Sequence, residues 1–405
     1  MQAIRSMKRP FPLWVAMTLS AWAISPASTA NAAAEVTEPA SAWARFDGRQ
    51  VTASGAQGMA DRSAGRHAKA DDPVRIASIS KLATALAVMR LVERGVLDLD
   101  RDVSQVLGWP LRNPAFPDRP ITLRLLLSHT AGVRDGVEYA LPLDARLDVA
   151  MRDPKAWDSA HEPGAYFAYS NLNFPIVAAV MEAATGERID RLMQREVFAP
   201  LGLDACFNWT TCSSRAVRHA VVLYHSDGSV ARDDLHGTKP DCPVVPATDG
   251  SCDLTRYPLG RHGAAFSPQG GMRIGARSLA KLGMVLTGQR PDFLKAASLA
   301  EMTRAQWTFD GSNGDTEGGF HCAYGLAVQI LALPGRNAAC RDDPFGDGRT
   351  RIGHAGEAYG LRSGLWVDPA SGKGLAFFAT AIAADAPKGR SAFTAAEEAM
   401  IAAHH

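Results

Sequence analysis

The chain has 405 residues and 43 Lys and Arg against 42 Asp and Glu, a formal net charge of +1. Apolar residues make up 46% and charged residues 21%. That balance excludes a disordered chain, a coiled-coil or collagen-like fibre and a polytopic membrane protein, and leaves ample material for a core. Without a surplus of cations to replace phosphate counterions, a nucleic-acid partner is not expected.

The N-terminus reads as an address. Arg5, Lys8 and Arg9 precede an apolar stretch from Leu13 to Ile24, and Ala30-Asn31-Ala32 then fits a small-x-small cleavage site. The stretch is too short to cross a bilayer of ~30 Å at ~1.5 Å per residue. A signal peptide over 1–32 is therefore expected, with one domain over 33–405 and a periplasmic or secreted destination. No later stretch has the length and apolarity of a membrane span.

Residues 42–54 read as a hairpin around Asp47-Gly48, and Val74-Arg75-Ile76 as a further short strand. A long helix follows, with Leu82, Leu86, Met89, Leu91 and Val92 at helical spacing and Gly95 as its stop. Helical segments are expected at 122–128, 176–185, 188–195 and 277–287, separated by Pro-, Gly- and Asp-rich loops at 228–262 and 308–320. Residues 323–331, 350–354, 358–367 and 373–382 are strand candidates, and an amphipathic helix over about 392–403 closes the chain. Strands at both ends with helices between them predict an α+β protein: an antiparallel sheet built from about 40–80 and 320–405, flanking helices, and an inserted mostly helical part over about 100–310. The junction would leave a cleft.

The six cysteines are Cys206, Cys212, Cys242, Cys252, Cys322 and Cys340. An even number behind a signal peptide points to disulfides rather than to a metal, since the paired Cys-x-x-Cys spacing of a zinc site is missing. Of the 15 possible pairings, neighbour pairing is expected, because each pair closes a short polar loop.

Three short motifs carry chemistry. Ser78-Ile79-Ser80-Lys81 opens the long helix, so Ser78 and Lys81 lie on one face, and a lysine of lowered pKa could take the serine's proton. Ser80, two residues on, points elsewhere. Tyr169-Ser170-Asn171, after Pro163-Gly164, offers a phenol for proton transfer and an amide for holding substrate. His354-Ala355-Gly356 lies in a strand, where glycine often marks close approach of a ligand or another backbone. Its histidine could donate to Tyr169 or to a substrate carboxylate. The same Ser-x-x-Lys spacing recurs at Ser278-Leu279-Ala280-Lys281, which reads as an ordinary helix start. A Gly-x-Ser-x-Gly elbow, His-Glu-x-x-His, a phosphate-binding loop and a dinucleotide fingerprint are all missing from the sequence.

Taken in that order, the motifs resemble the serine β-lactamase and penicillin-binding-protein superfamily. The likeness is to the branch of class C β-lactamases, D-alanyl-D-alanine carboxypeptidases, D-aminopeptidases and related esterases. Arg75-Ile76-Ala77, the stretch from Glu93 to Leu99, Leu126-Leu127-Ser128-His129-Thr130-Ala131-Gly132 and Gly270-Gly271 are similar to that branch too. The resemblance spans roughly residues 40–400. It implies Ser78 as nucleophile, Lys81 and Tyr169 as proton-handling partners, and Asn171 and His354 as positioning groups. It also implies an oxyanion hole at the backbone N–H groups of Ser78 and of Glu357, the residue after Gly356. Neither metal nor organic cofactor is implied. The expected partner is a small-molecule or peptide substrate, an amide or ester such as a D-amino-acid peptide or small ester. A class C-like β-lactamase and a penicillin-binding module that acylates without turnover are the alternatives. One departure bears on the choice: the lactamases carry Lys-Thr-Gly where this chain has His354-Ala355-Gly356. Arg349, Arg351 and Arg362 are the nearby candidates to replace the lost charge.

Overall fold

Side-chain alternation along a few strands builds the centre of the molecule. The computed structural model describes residues 38–405, so the expected signal peptide lies outside the described residues. The strands that matter here are β1 (Ser41–Phe46), β2 (Val51–Gln57), β3 (Val74–Arg75), β4 (Cys206–Phe207), β5 (Met272–Ile274), β6 (Trp307–Thr308), β7 (Ala323–Tyr324), β8 (Gln329–Leu331), β9 (Arg351–Ala358), β10 (Leu361–Asp368) and β11 (Lys373–Ala379). Eight of them form one antiparallel sheet in the order β6-β7-β8-β9-β10-β11-β1-β2. The first and last strands thus lie side by side one strand in from an edge, β1 pairing with β11 from Ser41–Ala379 to Phe46–Gly374.

The two faces of this sheet are covered by different helices, and the sequence shows why. Ala42, Ala44 and Phe46 of β1, Leu365 and Val367 of β10, and Ala376 and Phe378 of β11 point into the main core. Their neighbours Trp366, Leu375 and Phe377 point the other way, into a smaller cluster with Phe393 and Ile401. Burial on both faces turns polar–apolar alternation into near-continuous apolar runs. The helices are α1 (Ile79–Glu93), α2 (Leu123–Leu127), α3 (Asn173–Thr185), α4 (Ala276–Gly283) and α5 (Ala395–His404). On the main-core face, α4 comes so close that a side chain at Gly283 would lie 2.5 Å from Phe46 and 2.7 Å from Leu365. The C-terminal helix α5 lies on the other face, with Trp43 stacked on His404 at 4.3 Å. Its start is fixed by a reciprocal capping box between Thr394 and Glu397.

Several boundaries differ from the sequence reading. The strand candidates 350–354 and 358–367 are one unbroken strand, β9, then β10. The reversal falls at Tyr359–Gly360, both left-handed at φ 53° and 73°, as a two-residue hairpin turn requires. The candidate 323–331 is a tight hairpin, β7 and β8, rather than a single strand. The helical segment 188–195 shortens to Ile189–Met193 and continues as a π-helical turn over Gln194–Phe198. Strands β4 and β5, too short to show a period, join β3 in a small second sheet of order β3-β5-β4 at the junction with the helices.

The cysteines pair as neighbours: Cys206–Cys212, Cys242–Cys252 and Cys322–Cys340. Among the described residues no helix is long and apolar enough to cross a membrane. Protein isolated from an oxidising compartment, denatured without reductant and titrated for thiols, should therefore give essentially none. Six reactive thiols would contradict the pairing.

Candidate active site

Ser78 sits where strand β3 turns into α1. Ala77 makes the turn in a left-handed conformation, φ 56°, a strain of about 1–3 kcal/mol for a residue with a Cβ. The turn is held from β9 and β10. Ser363 Oγ donates to the Ile76 carbonyl at 2.9 Å. Gly356 approaches so closely that a Cβ there would lie 2.5 Å from the Ile76 oxygen and 3.2 Å from the Ser78 nitrogen. Glycine is thus demanded by contact at this position. Ser80 is turned inward, donating to Ala77 O at 2.7 Å and accepting from Met272 N–H at 3.0 Å.

One turn into α1, Lys81 is fully buried. Its Nζ lies 3.0 Å from Ser78 Oγ, 2.8 Å from Asn171 Oδ1 and 3.0 Å from the Gln269 carbonyl. Burial outweighs the attraction of Asp135 and Glu317 and lowers its pKa from 10.5 to about 7. A neutral amine has two N–H bonds and one lone pair. The amide oxygen of Asn171 and the carbonyl of Gln269 can only accept, so they take both N–H bonds. The lone pair is left facing the Ser78 hydroxyl.

That logic depends on which way the Asn171 amide points, and Asp135 decides it. The Asp135 carboxylate accepts from Ser170 Oγ at 2.7 Å and from the N–H groups of Asn171 and Leu172 at 2.9 Å each. It also accepts from Asn171 Nδ2 at 3.0 Å. With Nδ2 committed to a carboxylate, Oδ1 must face Lys81.

Tyr169 hydrogen-bonds Ser78, and burial raises its pKa, so it stays a neutral phenol. Lys81 Nζ lies 4.8 Å from the centre of its ring. His129 and His321 both stack on Tyr169, at 4.4 and 4.9 Å. Burial and the nearby Lys81 keep both imidazoles neutral, His321 with a pKa lowered to about 3. His129, at φ 57°, accepts from the Ser170 N–H at 3.1 Å, which makes it a brace for the Tyr169–Asn171 segment.

His354 lines the same cleft, but both its ring nitrogens are taken. Nδ1 faces the Ala355 carbonyl at 2.5 Å and must be the donor there, which leaves Nε2 to accept from the Tyr324 hydroxyl at 2.7 Å. Its pKa is lowered to about 3 by burial and by Lys81. Tyr324 thus occupies the place that the sequence reading gave to Tyr169 or a substrate carboxylate. Glu357 follows Gly356 at the cleft wall. The Tyr359–Gly360 turn makes Ala358–Leu361, Gly356–Ser363 and His354–Leu365 the bonded pairs of β9 and β10. The Glu357 N–H therefore points away from β10. Like it, the Ser78 N–H donates to no group among the described residues.

The candidate replacement charges separate. Arg349 pairs with Asp368 and Arg351 with Asp347, both outside the cleft. Arg362 lines the cleft but is bound to Glu357. Farther along the cleft, Arg75 and Arg273 share Asp233, and Arg232 lies over the Tyr359 ring. The whole cleft has a volume of about 1010 Å³. Asp135, Gln269, His321 and Tyr324 were not picked out from sequence. The nearest signals were the position of Asp135 just past the Ser128–Gly132 stretch and that of His321 beside Cys322. Among the described residues no cluster of His, Cys, Asp or Glu is arranged to hold a metal.

Comparison with known proteins agrees with this layout. The sequence profile of the family described as Beta-lactamase matches residues 29–398. Esterase EstB of Burkholderia gladioli is 36% identical over 168 residues, 37% of this chain and 42% of the esterase. Penicillin-binding protein 4 of Amycolatopsis lactamdurans is 30% identical over 179 residues, 42% of this chain and 44% of that protein. The chain thus covers less than half the length of these curated relatives. Among solved structures, the octameric penicillin-binding protein homologue from Pyrococcus abyssi superposes with a TM-score of 0.66 at 18% identity, over 92% of this chain and 74% of that one. A D-amino acid amidase from Ochrobactrum anthropi SV3 gives 0.61 at 21%, over 92% and 97%. At such identities the superpositions show the fold alone.

Replacing Asp135 by Ala should free the Asn171 amide to turn and leave Lys81 mispositioned. Hydrolysis of a p-nitrophenyl ester should fall about 10²-fold, as for other small misplacements of a reacting group, with the circular-dichroism spectrum unchanged. Full activity would mean that the orientation of Asn171 does not matter.

Proposed function

The chain belongs to the beta-lactamase family, and on that premise we propose that it is an exported serine hydrolase working through an acyl-enzyme on a small ester or amide. The observation that carries this reading is the set of three partners around Lys81, two of which can only accept. The amine lone pair then has one place to go, the Ser78 hydroxyl, and a pKa of about 7 leaves a useful fraction of the amine unprotonated at neutral pH. Ser78 Oγ attacks the carbonyl carbon as its proton passes to Lys81 Nζ. The carbonyl oxygen becomes an oxyanion facing the two outward N–H groups of Ser78 and Glu357. Tyr169, a neutral phenol beside Ser78, hands a proton to the departing oxygen or nitrogen and recovers one from Lys81. Water then repeats the sequence on the acyl-enzyme.

Esters and simple amides suit the cleft better than substrates recognised by a carboxylate. His354 is neutral with both nitrogens engaged, and Arg362 is already paired with Glu357. Three disulfides support export to an oxidising compartment. The substrate reading is tested with a panel: a short-chain p-nitrophenyl ester, a D-amino-acid amide, a D-Ala-D-Ala peptide and a chromogenic cephalosporin. The ester or amide should be turned over best, and Ser78→Ala should lose all turnover. Cephalosporin hydrolysis in the usual enzyme range of ~10⁴ to 10⁸ M⁻¹s⁻¹ would make the protein a class C-like β-lactamase. One equivalent of product and no more would make it a penicillin-binding module.

The pH profile tests the proton path separately. Below the Lys81 pKa of about 7 the ammonium has no lone pair for Ser78. For a neutral ester, kcat/KM should therefore climb with pH through an inflection near that value. A flat profile between about pH 6 and about pH 8 would remove Lys81 as the base.

A further inference from the structure

Residues 308–320 read from sequence as a plain loop, yet they form one wall of the cleft. The wall is pinned to the segment carrying Tyr169. Phe167 N–H donates to the Asn313 carbonyl at 3.0 Å, and Asp315 N–H donates to the Phe167 carbonyl at 2.9 Å, around a parallel bridge between Phe167 and Gly314. Two residues beyond Asp315, Glu317 is held left-handed at φ 49°, its N–H bound to Asp315 Oδ1 at 2.9 Å. Its side chain lines the cleft, is 50% exposed and sits 3.9 Å from His321 Nε2. His321 in turn stacks on Tyr169, which hydrogen-bonds Ser78.

Three of the other carboxylates lining the cleft are occupied: Glu357 is bound to Arg362, Asp233 is shared by Arg75 and Arg273, and Glu397 is buried in the cap of α5. Asp234 is a half-buried residue 3.3 Å from His236, with a buried oxygen that accepts no hydrogen bond. Glu317 accepts no hydrogen bond and meets no arginine or lysine within ion-pair distance among the described residues; its one close neighbour, His321, is a neutral imidazole. Phe320 and Tyr169 line the same cleft, the Tyr169 ring already stacked by His129 and His321. An unpaired carboxylate on a cleft wall attracts an ammonium group and repels an anion.

We propose that Glu317 is a specificity-determining residue that selects esters or amides bearing a cationic ammonium group, which its carboxylate meets on this wall of the cleft. This rests on the serine-hydrolase reading and adds the charge of the substrate to it.

The test uses isosteric pairs. Butyrylcholine is compared with 3,3-dimethylbutyl butyrate, which has carbon in place of the ammonium nitrogen on the alcohol side. The p-nitrophenyl ester of 4-(trimethylammonio)butyrate is compared with that of 5,5-dimethylhexanoate on the acyl side. In one pair or the other, kcat/KM should favour the cation by about tenfold at low salt and by much less at ~0.5 M salt. Glu317→Gln should abolish the preference and Glu317→Lys should invert it. The salt series on the unaltered protein keeps the test valid if a variant fails to fold. Ser78-dependent hydrolysis with no cation preference, or a preference that survives Glu317→Gln, overturns this proposal and leaves the hydrolase reading standing. Hydrolysis of none of the four esters overturns this proposal, and overturns the hydrolase reading as well if the D-amino-acid amide is not turned over either.

Discussion

The desolvation of one lysine is the constraint on which this molecule depends. Moving the Lys81 pKa from 10.5 to about 7 corresponds to roughly 5 kcal/mol of disfavour for the charged form, at about 1.4 kcal/mol per unit. Much of the surrounding structure serves to keep water and countercharge away from that amine while still giving it hydrogen bonds. The Tyr169 and Phe174 rings lie 4.8 and 5.6 Å from it. Three imidazoles nearby are kept neutral first by burial, with the closeness of Lys81 adding to it. Asp135, the carboxylate that attracts it most, is kept at one remove, with the Asn171 side chain between it and Lys81. A direct ion pair would have returned Lys81 to its charged state.

The chemistry-bearing residues were legible because they are local. Ser78 and Lys81 are one helical turn apart, and Tyr169 and Asn171 are two residues apart, so spacing alone places each pair. The α+β layout was legible for a similar reason, since strands at both chain ends leave them little to pair with but each other. What could not be read is what long-range packing supplies. Asp135 lies 36 residues before Asn171, and Gln269 lies 188 residues after Lys81. Each is an ordinary residue until the fold brings it in. Gly356 is a partial case. A strand glycine suggested close approach, but the partner, the Ile76 carbonyl, appears only once β9 lies beside the Ala77 turn.

His354 shows how a motif position can be legible while its partner is not. A histidine in this strand invites a substrate carboxylate, because an imidazole can donate. The donor proton goes instead to the neighbouring Ala355 carbonyl, and the acceptor nitrogen goes to Tyr324, which arrives from the β7–β8 hairpin. The ring becomes part of the wall that dries out Lys81. One position can thus act on the reaction through solvation rather than contact.

The pairing of each cysteine with its nearest neighbour along the chain has a consequence for biosynthesis. The three bridges close loops with separations of only 6, 10 and 18 residues. Loop-closure entropy favours such short loops over the long-range pairings among the fifteen possible. Each native bridge joins two cysteines that lie close together along the chain. In an oxidising environment the native set can therefore form before β1 and β11 have paired, with little call for an isomerase.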